Sequence, residues 1–165
     1  MRTETTSTFT SHDGESLFYR HWAATEPSLD KKAIILFHRG HEHSGRIAHL
    51  VDELNLPDYD FFAWDARGCG QSSGARGDAP NFGWMVHDAE TFFQHIQSEY
   101  NIQAENIAVI AQSVGAVIAA TWVHDYVPKI RALVLASPAF KVKLYVPFAI
   151  PGLRLMHNIR GNFFV

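Results

Sequence analysis

Ser113 lies in the pentapeptide Ala111-Gln112-Ser113-Val114-Gly115, between an apolar run and an alanine-rich stretch. A serine hydroxyl becomes a nucleophile only when its backbone presents it and its surroundings activate it. An A-x-S-x-G pattern at a strand-to-helix junction suits that task. Residues two before and two after the serine must be small, because side chains there collide across so sharp a turn. Ala111 and Gly115 meet the requirement. The following helix then aims its unpaired N–H groups and positive dipole end at the reacting carbon. The competing reading is a serine that N-caps an ordinary crossover helix.

The second candidate is His38-Arg39-Gly40-His41-Glu42-His43-Ser44-Gly45-Arg46. Acyl transfer needs two N–H donors aimed at the developing oxyanion, one of them from a loop after an earlier strand. The N–H groups of Gly40 and Val114 are the expected pair. A second reading makes His38, His41 and His43, with His49 as an optional fourth, ligands of a zinc ion, with Glu42 as a base, although the spacing matches neither H-E-x-x-H nor a closed four-ligand site. A third leaves them as polar loop histidines.

Asp65-Ala66-Arg67-Gly68-Cys69-Gly70-Gln71-Ser72 is the third candidate. Asp65 is expected to bind loop N–H groups and Arg67, with the glycines permitting a tight path. Cys69 reads as a small loop residue, since nothing specifies a paired histidine or a low-pKa setting.

Four elements must position these groups: the apolar runs Ala33 to Phe37, Phe61 to Trp64, Ile107 to Ala111 and Ala132 to Ala136. None alternates with polar residues, as expected of strands buried on both faces. Helical spacing separates them. Ile47, Leu50, Val51 and Leu54 predict a first helix with Ser44 as its N-cap. Val86, Ala89, Phe93, Ile96 and Tyr100 predict a second of about four turns. Val114 to Tyr126 predicts a third, closed by Pro128. Ahead of them, Asp13-Gly14 between β-prone segments signals a hairpin. The expected fold class is α/β, a doubly wound, mostly parallel sheet with an N-terminal antiparallel hairpin.

The chain has 165 residues, about one domain. Its net charge of −3 offers no basic footprint for nucleic acid. The single Cys69 excludes an internal disulfide framework. The polar start lacks a signal peptide's apolar core, and no run is long enough to span a bilayer. A cytoplasmic setting is expected.

Together these stretches resemble the α/β-hydrolase fold, in its monoacylglycerol-lipase and lysophospholipase-like (serine aminopeptidase S33-like) branch. There a strand runs into H-G-x-G-E-H-S-G-R-Y. FHRGHEHSGRI matches it, with Arg39 and His41 replacing the two glycines. DARGCGQSSG matches that branch's D-x-R-G-x-G-x-S, AQSVG stands for its G-H-S-M-G, and Ser137-Pro138 for the pair that ends its next strand.

The resemblance implies a serine hydrolase acting on a carboxylic ester or similar acyl bond through an acyl-enzyme. It assigns Ser113 as nucleophile, Gly40 and Val114 as oxyanion hole, and His38, Glu42 and Asp65 as loop support, with no cofactor and no metal. The expected partner is a small acyl substrate, which the apolar tail suggests is lipidic. The alternatives are a metal-dependent hydrolase using the His38–His43 cluster, or a non-catalytic binding module. The branch's triad runs serine, acid, histidine. After Ser113 come Asp125 on the crossover helix, His124 and His157, none behind a later strand. The acid and histidine are therefore expected outside this chain. Residues 1–140 read as the N-terminal part of the hydrolase core and 141–165 as the start of a cap. The chain as a whole reads as the N-terminal portion of a longer hydrolase, its remainder the expected partner.

Overall fold

The computed structural model describes residues 2–26 and 28–140, together with Pro151, Gly152, Arg154, Leu155, Asn158 and Ile159. Most of the expected cap segment, 141–165, thus lies outside the described residues.

The hairpin forms as its turn signal predicts. Strands β1 (Glu4–Thr10) and β2 (Ser16–Trp22) pair antiparallel around a turn in which Gly14 adopts φ 90°. The four apolar runs become β3 (Lys32–Phe37), β4 (Tyr59–Trp64), β5 (Ile107–Gln112) and β6 (Ala132–Ala136). They join one six-stranded sheet in the order β1-β2-β4-β3-β5-β6. β2 pairs antiparallel with β4, and the pairs from β4 onward are parallel.

Helices cover both faces. α1 (His49–Glu53) lies on one, where Val51 and Ile47 pack with Ile34, Leu36, Phe61, Ala63 and Trp22. α2 (Phe82–Tyr100) and α3 (Val114–Tyr126) cover the other, where Phe92, Phe93, Ile96, Ile118 and Trp122 meet Ile35, Phe37, Phe62, Trp64 and Val109. The alternation of β3 explains the split: Ile34 and Leu36 point one way, Ile35 and Phe37 the other. β6 is a sheet edge among the described residues, and Val134 on it is 51% exposed.

Two helix expectations are corrected. Ser44 caps no α-helix. A 3₁₀ turn, Ser44–Arg46, comes first, and its cap is His43, whose side chain accepts from the Gly45 N–H. The Ser44 N–H and hydroxyl are engaged elsewhere, with Asp65 and Arg20. α2 runs 19 residues, about five turns rather than four. Asn81 caps it through a bond to the Trp84 N–H, one turn before the apolar stripe begins.

Candidate active site

The parallel strands end at one edge of the sheet, and the loops after β3, β4, β5 and β6 gather there. This is where open α/β sheets place their ligands. β5 turns into α3 at Ser113, whose backbone has φ 54° and ψ −115°. That conformation is uncommon for a residue with a side chain and costs of order 1–3 kcal/mol. The surroundings hold it. The Ser113 N–H donates to Ala136 O (3.0 Å), and Ser113 O accepts from the Val117 and Ala139 N–H groups (both 3.3 Å).

Ser113 occupies the N-cap position of α3, yet its side chain makes no capping hydrogen bond. An ordinary capping serine would spend its oxygen on an N–H two or three residues on. The geometry therefore goes against the capping reading. Gly115 shows why the turn needs a small residue: a Cβ there would sit 2.4 Å from His38 O. Ala111 is buried beside Phe37 in the β3–β5 register.

The β3 loop reaches Val114. A Cβ on Gly40 would lie 3.1 Å from Val114 Cγ2. Among the described residues, the N–H groups of Gly40 and Val114 have no acceptor. Both residues line a cavity of about 250 Å³ between the β3 loop, the loop after β4 and α2. Gly40 and Val114 thus meet at this cavity, and Ser113, next to Val114 in the chain, is not among its lining residues.

His38, Asp65 and Glu42 hold the surrounding loops. His38 is buried, with Nδ1 2.7 Å from Arg39 O and Nε2 2.9 Å from the Ala66 nitrogen. Since Nε2 accepts the Ala66 N–H, Nδ1 carries the proton and donates to Arg39 O. The neutral ring thereby clamps the β3 loop to the end of β4. Asp65, fully buried, accepts from the N–H groups of Ser44 (2.6 Å) and Gln71 (2.8 Å). Gly70 makes room for it, because a Cβ there would lie 1.9 Å from Asp65 Oδ2. Arg39 donates to Glu42 (2.6 Å) and holds its carboxyl below the usual range. The cation that replaces the first glycine of the branch's motif is thus turned onto its own loop.

The expected bond between Asp65 and Arg67 is absent. Arg67 pairs with Asp13 (2.7 Å) in the hairpin turn and Asp88 (2.8 Å) on α2. Burial made the difference: Asp88 is fully buried on α2 and requires a cation. The apolar stripe gave no sign of Asp88, although an aspartate beside Val86 and Ala89 on the helix's inner face was the available signal.

The zinc reading fails on geometry. Both His38 nitrogens are spent, and His43 Nδ1 accepts from Gly45. Among the described residues, the one group able to converge on a metal ion is His12, Asp13 and Asp88. The Arg67 guanidinium already occupies the space between its carboxylates. Burial pushes the Cys69 thiol up, away from thiolate chemistry.

The His38 clamp predicts a pH effect. Burial lowers the pKa of His38 below its ordinary value. The unfolded chain then binds the proton at higher pH than the folded one, so acid favours unfolding. The contribution is whole above about pH 6.5 and is lost as pH falls from there through the folded pKa. Thermal melts across that range should show an acid limb that His38→Asn diminishes. An unchanged limb would mean that His38 does not titrate in this way.

Residues 29–165 match the model of the family described as serine aminopeptidase, S33. The chain belongs to this family. It is 60% identical over 157 residues to the uncharacterized protein YnbC of Escherichia coli strain K12, covering 95% of this chain and 27% of that one. It is 26% identical to the probable lysophospholipase L2 of Haemophilus influenzae, over 88% of this chain and 47% of that one. The chain thus spans between a quarter and a half of the length of these relatives. In structure it is similar to the α/β hydrolase GrgF from Penicillium sp. sh18, with TM-score 0.76 and 17% identity, over 96% of this chain and 54% of that one. The architecture of this S33 chain is the α/β-hydrolase fold. No helix among its described residues is long and apolar enough to cross a membrane.

Proposed function

We propose that this chain is the nucleophile-bearing part of a longer serine hydrolase that cleaves carboxylic esters. Residues 1–140 would be the N-terminal part of its core and 141–165 the start of its cap. In this reading Ser113 Oγ attacks the acyl carbon and forms an acyl-enzyme, and the N–H groups of Gly40 and Val114 hold the oxyanion. One observation carries it: a strained Ser113 whose hydroxyl caps nothing, next to two amides without acceptors. Evolution does not ordinarily retain a strained backbone of that kind without a use for the side chain it presents. His38, Asp65 and Glu42 act in support, by fixing the loop that carries Gly40.

The lipidic part of the proposal rests on the apolar lining of the cavity, where Met85, Cys69, Ala79 and Val114 contribute, and on the lysophospholipase named among the relatives. The lone Cys69, with no disulfide framework to form, favours a cytoplasmic setting.

The base and acid of the triad are proposed to come from beyond residue 165. No described residue hydrogen-bonds the Ser113 hydroxyl, and His124 pairs with Asp125 at the far end of α3. Residues 1–165 alone are therefore expected to retain at most roughly the 10³–10⁴ acceleration over water that oxyanion donors supply without a working triad. An ester assay on a size-exclusion monomer tests this. Turnover near one per second, within the ordinary enzyme range, would refute it and place a base among the histidines of this chain. The same preparation checks the metal alternative, since zinc near one per chain that is lost on changing His41 or His43 would overturn the serine reading.

A further inference from the structure

Two arginines, Arg67 and Arg76, line the cavity beside Gly40 and Val114, and Arg39 and Arg46 lie in the segment after β3; three of the four are already committed. Arg39 and Arg46 both face Glu42, at 2.6 and 3.9 Å. Arg67 directs its nitrogens to Asp13 and Asp88. Arg76 differs. Its Nη1 donates to Gly70 O (2.8 Å), and it forms no ion pair with a described residue. It is exposed, and it lines the same cavity as Gly40 and Val114.

We propose that Arg76 recognises an anionic group of the substrate, a carboxylate or phosphate set a few atoms from the scissile carbonyl. The proposal rests on the reading that Gly40 and Val114 hold that carbonyl.

Three points support it. A guanidinium has five N–H donors in a planar fork that matches carboxylate and phosphate oxygens, and here one is assigned. Its carbonyl anchor is fixed, because Gly70 packs so closely on Asp65 that no side chain fits between them. The carboxylates that also line the cavity are engaged: Glu42 accepts from Arg39, and Asp78 accepts the Ala79 N–H (2.9 Å) and has a further partner. The remaining lining, with Met85 and Cys69, suits the alkyl part of the same molecule. The ligand that fits is an ester with an apolar portion and one negative charge.

The test is an NMR titration of the ¹⁵N-labelled 165-residue chain with three probes. They are monomethyl glutarate, the near-isosteric neutral methyl pentanoate, and 1-butyryl-glycerol 3-phosphate. The anionic esters should shift the Gly40 and Val114 amides and bind about tenfold more tightly than the neutral one, as suits a charge-assisted pair. Arg76→Gln should abolish that gap, and Arg76→Lys should keep part of it. Added salt should narrow it, because the arginine is exposed. The tighter of the two anionic probes identifies the anion as carboxylate or phosphate.

Equal binding of neutral and anionic esters, with both amides responding, would overturn the role of Arg76 and leave the hydrolase reading intact. A gap that survives Arg76→Gln, in a variant whose amide spectrum shows it folded, would do the same. If no ester moves the two amides, the proposed carbonyl site itself falls.

Discussion

Ser113→Ala in the full-length protein is expected to lower kcat by about 10⁶, the usual cost of losing a serine nucleophile. The fold should survive, because the Ser113 side chain makes no capping hydrogen bond whose loss would unravel α3. Alanine also bears the φ of 54° no worse than serine does. Ser113→Gly adds a second readout. Glycine adopts positive φ without a Cβ penalty, so the glycine variant should melt above the alanine variant while being equally inactive. Ester turnover and thermal melts on the three proteins check both statements. A folded alanine variant that keeps more than about a tenth of wild-type kcat would remove Ser113 from the chemistry.

Gly40→Pro should lower kcat by roughly 10²–10³. Proline deletes the one N–H that the β3 loop is proposed to offer the oxyanion. The interaction strengthens as charge develops on the carbonyl oxygen, so the loss should fall on kcat more than on KM. Glu42→Ala is the control. It frees Arg39 and loosens the loop while deleting no donor, so its effect on kcat should be smaller. Comparable losses in the two variants would mean that loop order, rather than the Gly40 N–H, is what the reaction needs.

Much of this arrangement is legible in the sequence because it depends on short-range constraints. Small residues at 111 and 115 are needed wherever a strand turns abruptly into a helix, and the structure shows the His38 carbonyl filling the space a Gly115 side chain would take. Unbroken apolar runs mark strands covered on both sides, and all four such runs formed strands. What escaped the sequence reading depends on long-range packing. No local pattern says that β2 pairs antiparallel with β4, which lies more than 35 residues on. Arg67 looked like a partner for Asp65, two residues away. Its partners are Asp13 and Asp88, in the hairpin turn and on α2, which the fold brings together. Ser44 has the residue type of a helix cap, but its hydroxyl and N–H are claimed by Arg20 and Asp65. His38 is open to a metal-ligand reading by residue type though not by spacing, and only the positions of Arg39 O and the Ala66 N–H reveal a neutral clamp.

The central claim is that Ser113 carries the acyl group, and trapping that residue tests it most directly. A fluorophosphonate probe reacts with a serine whose hydroxyl is activated and whose new oxyanion is held. Incubating the full-length protein with the probe, followed by peptide mass spectrometry, should place one adduct on Ser113. The adduct should be absent from Ser113→Ala and formed more slowly in Gly40→Pro. An active, full-length protein that hydrolyses esters but carries no adduct on Ser113, or carries it on another residue, would contradict the account.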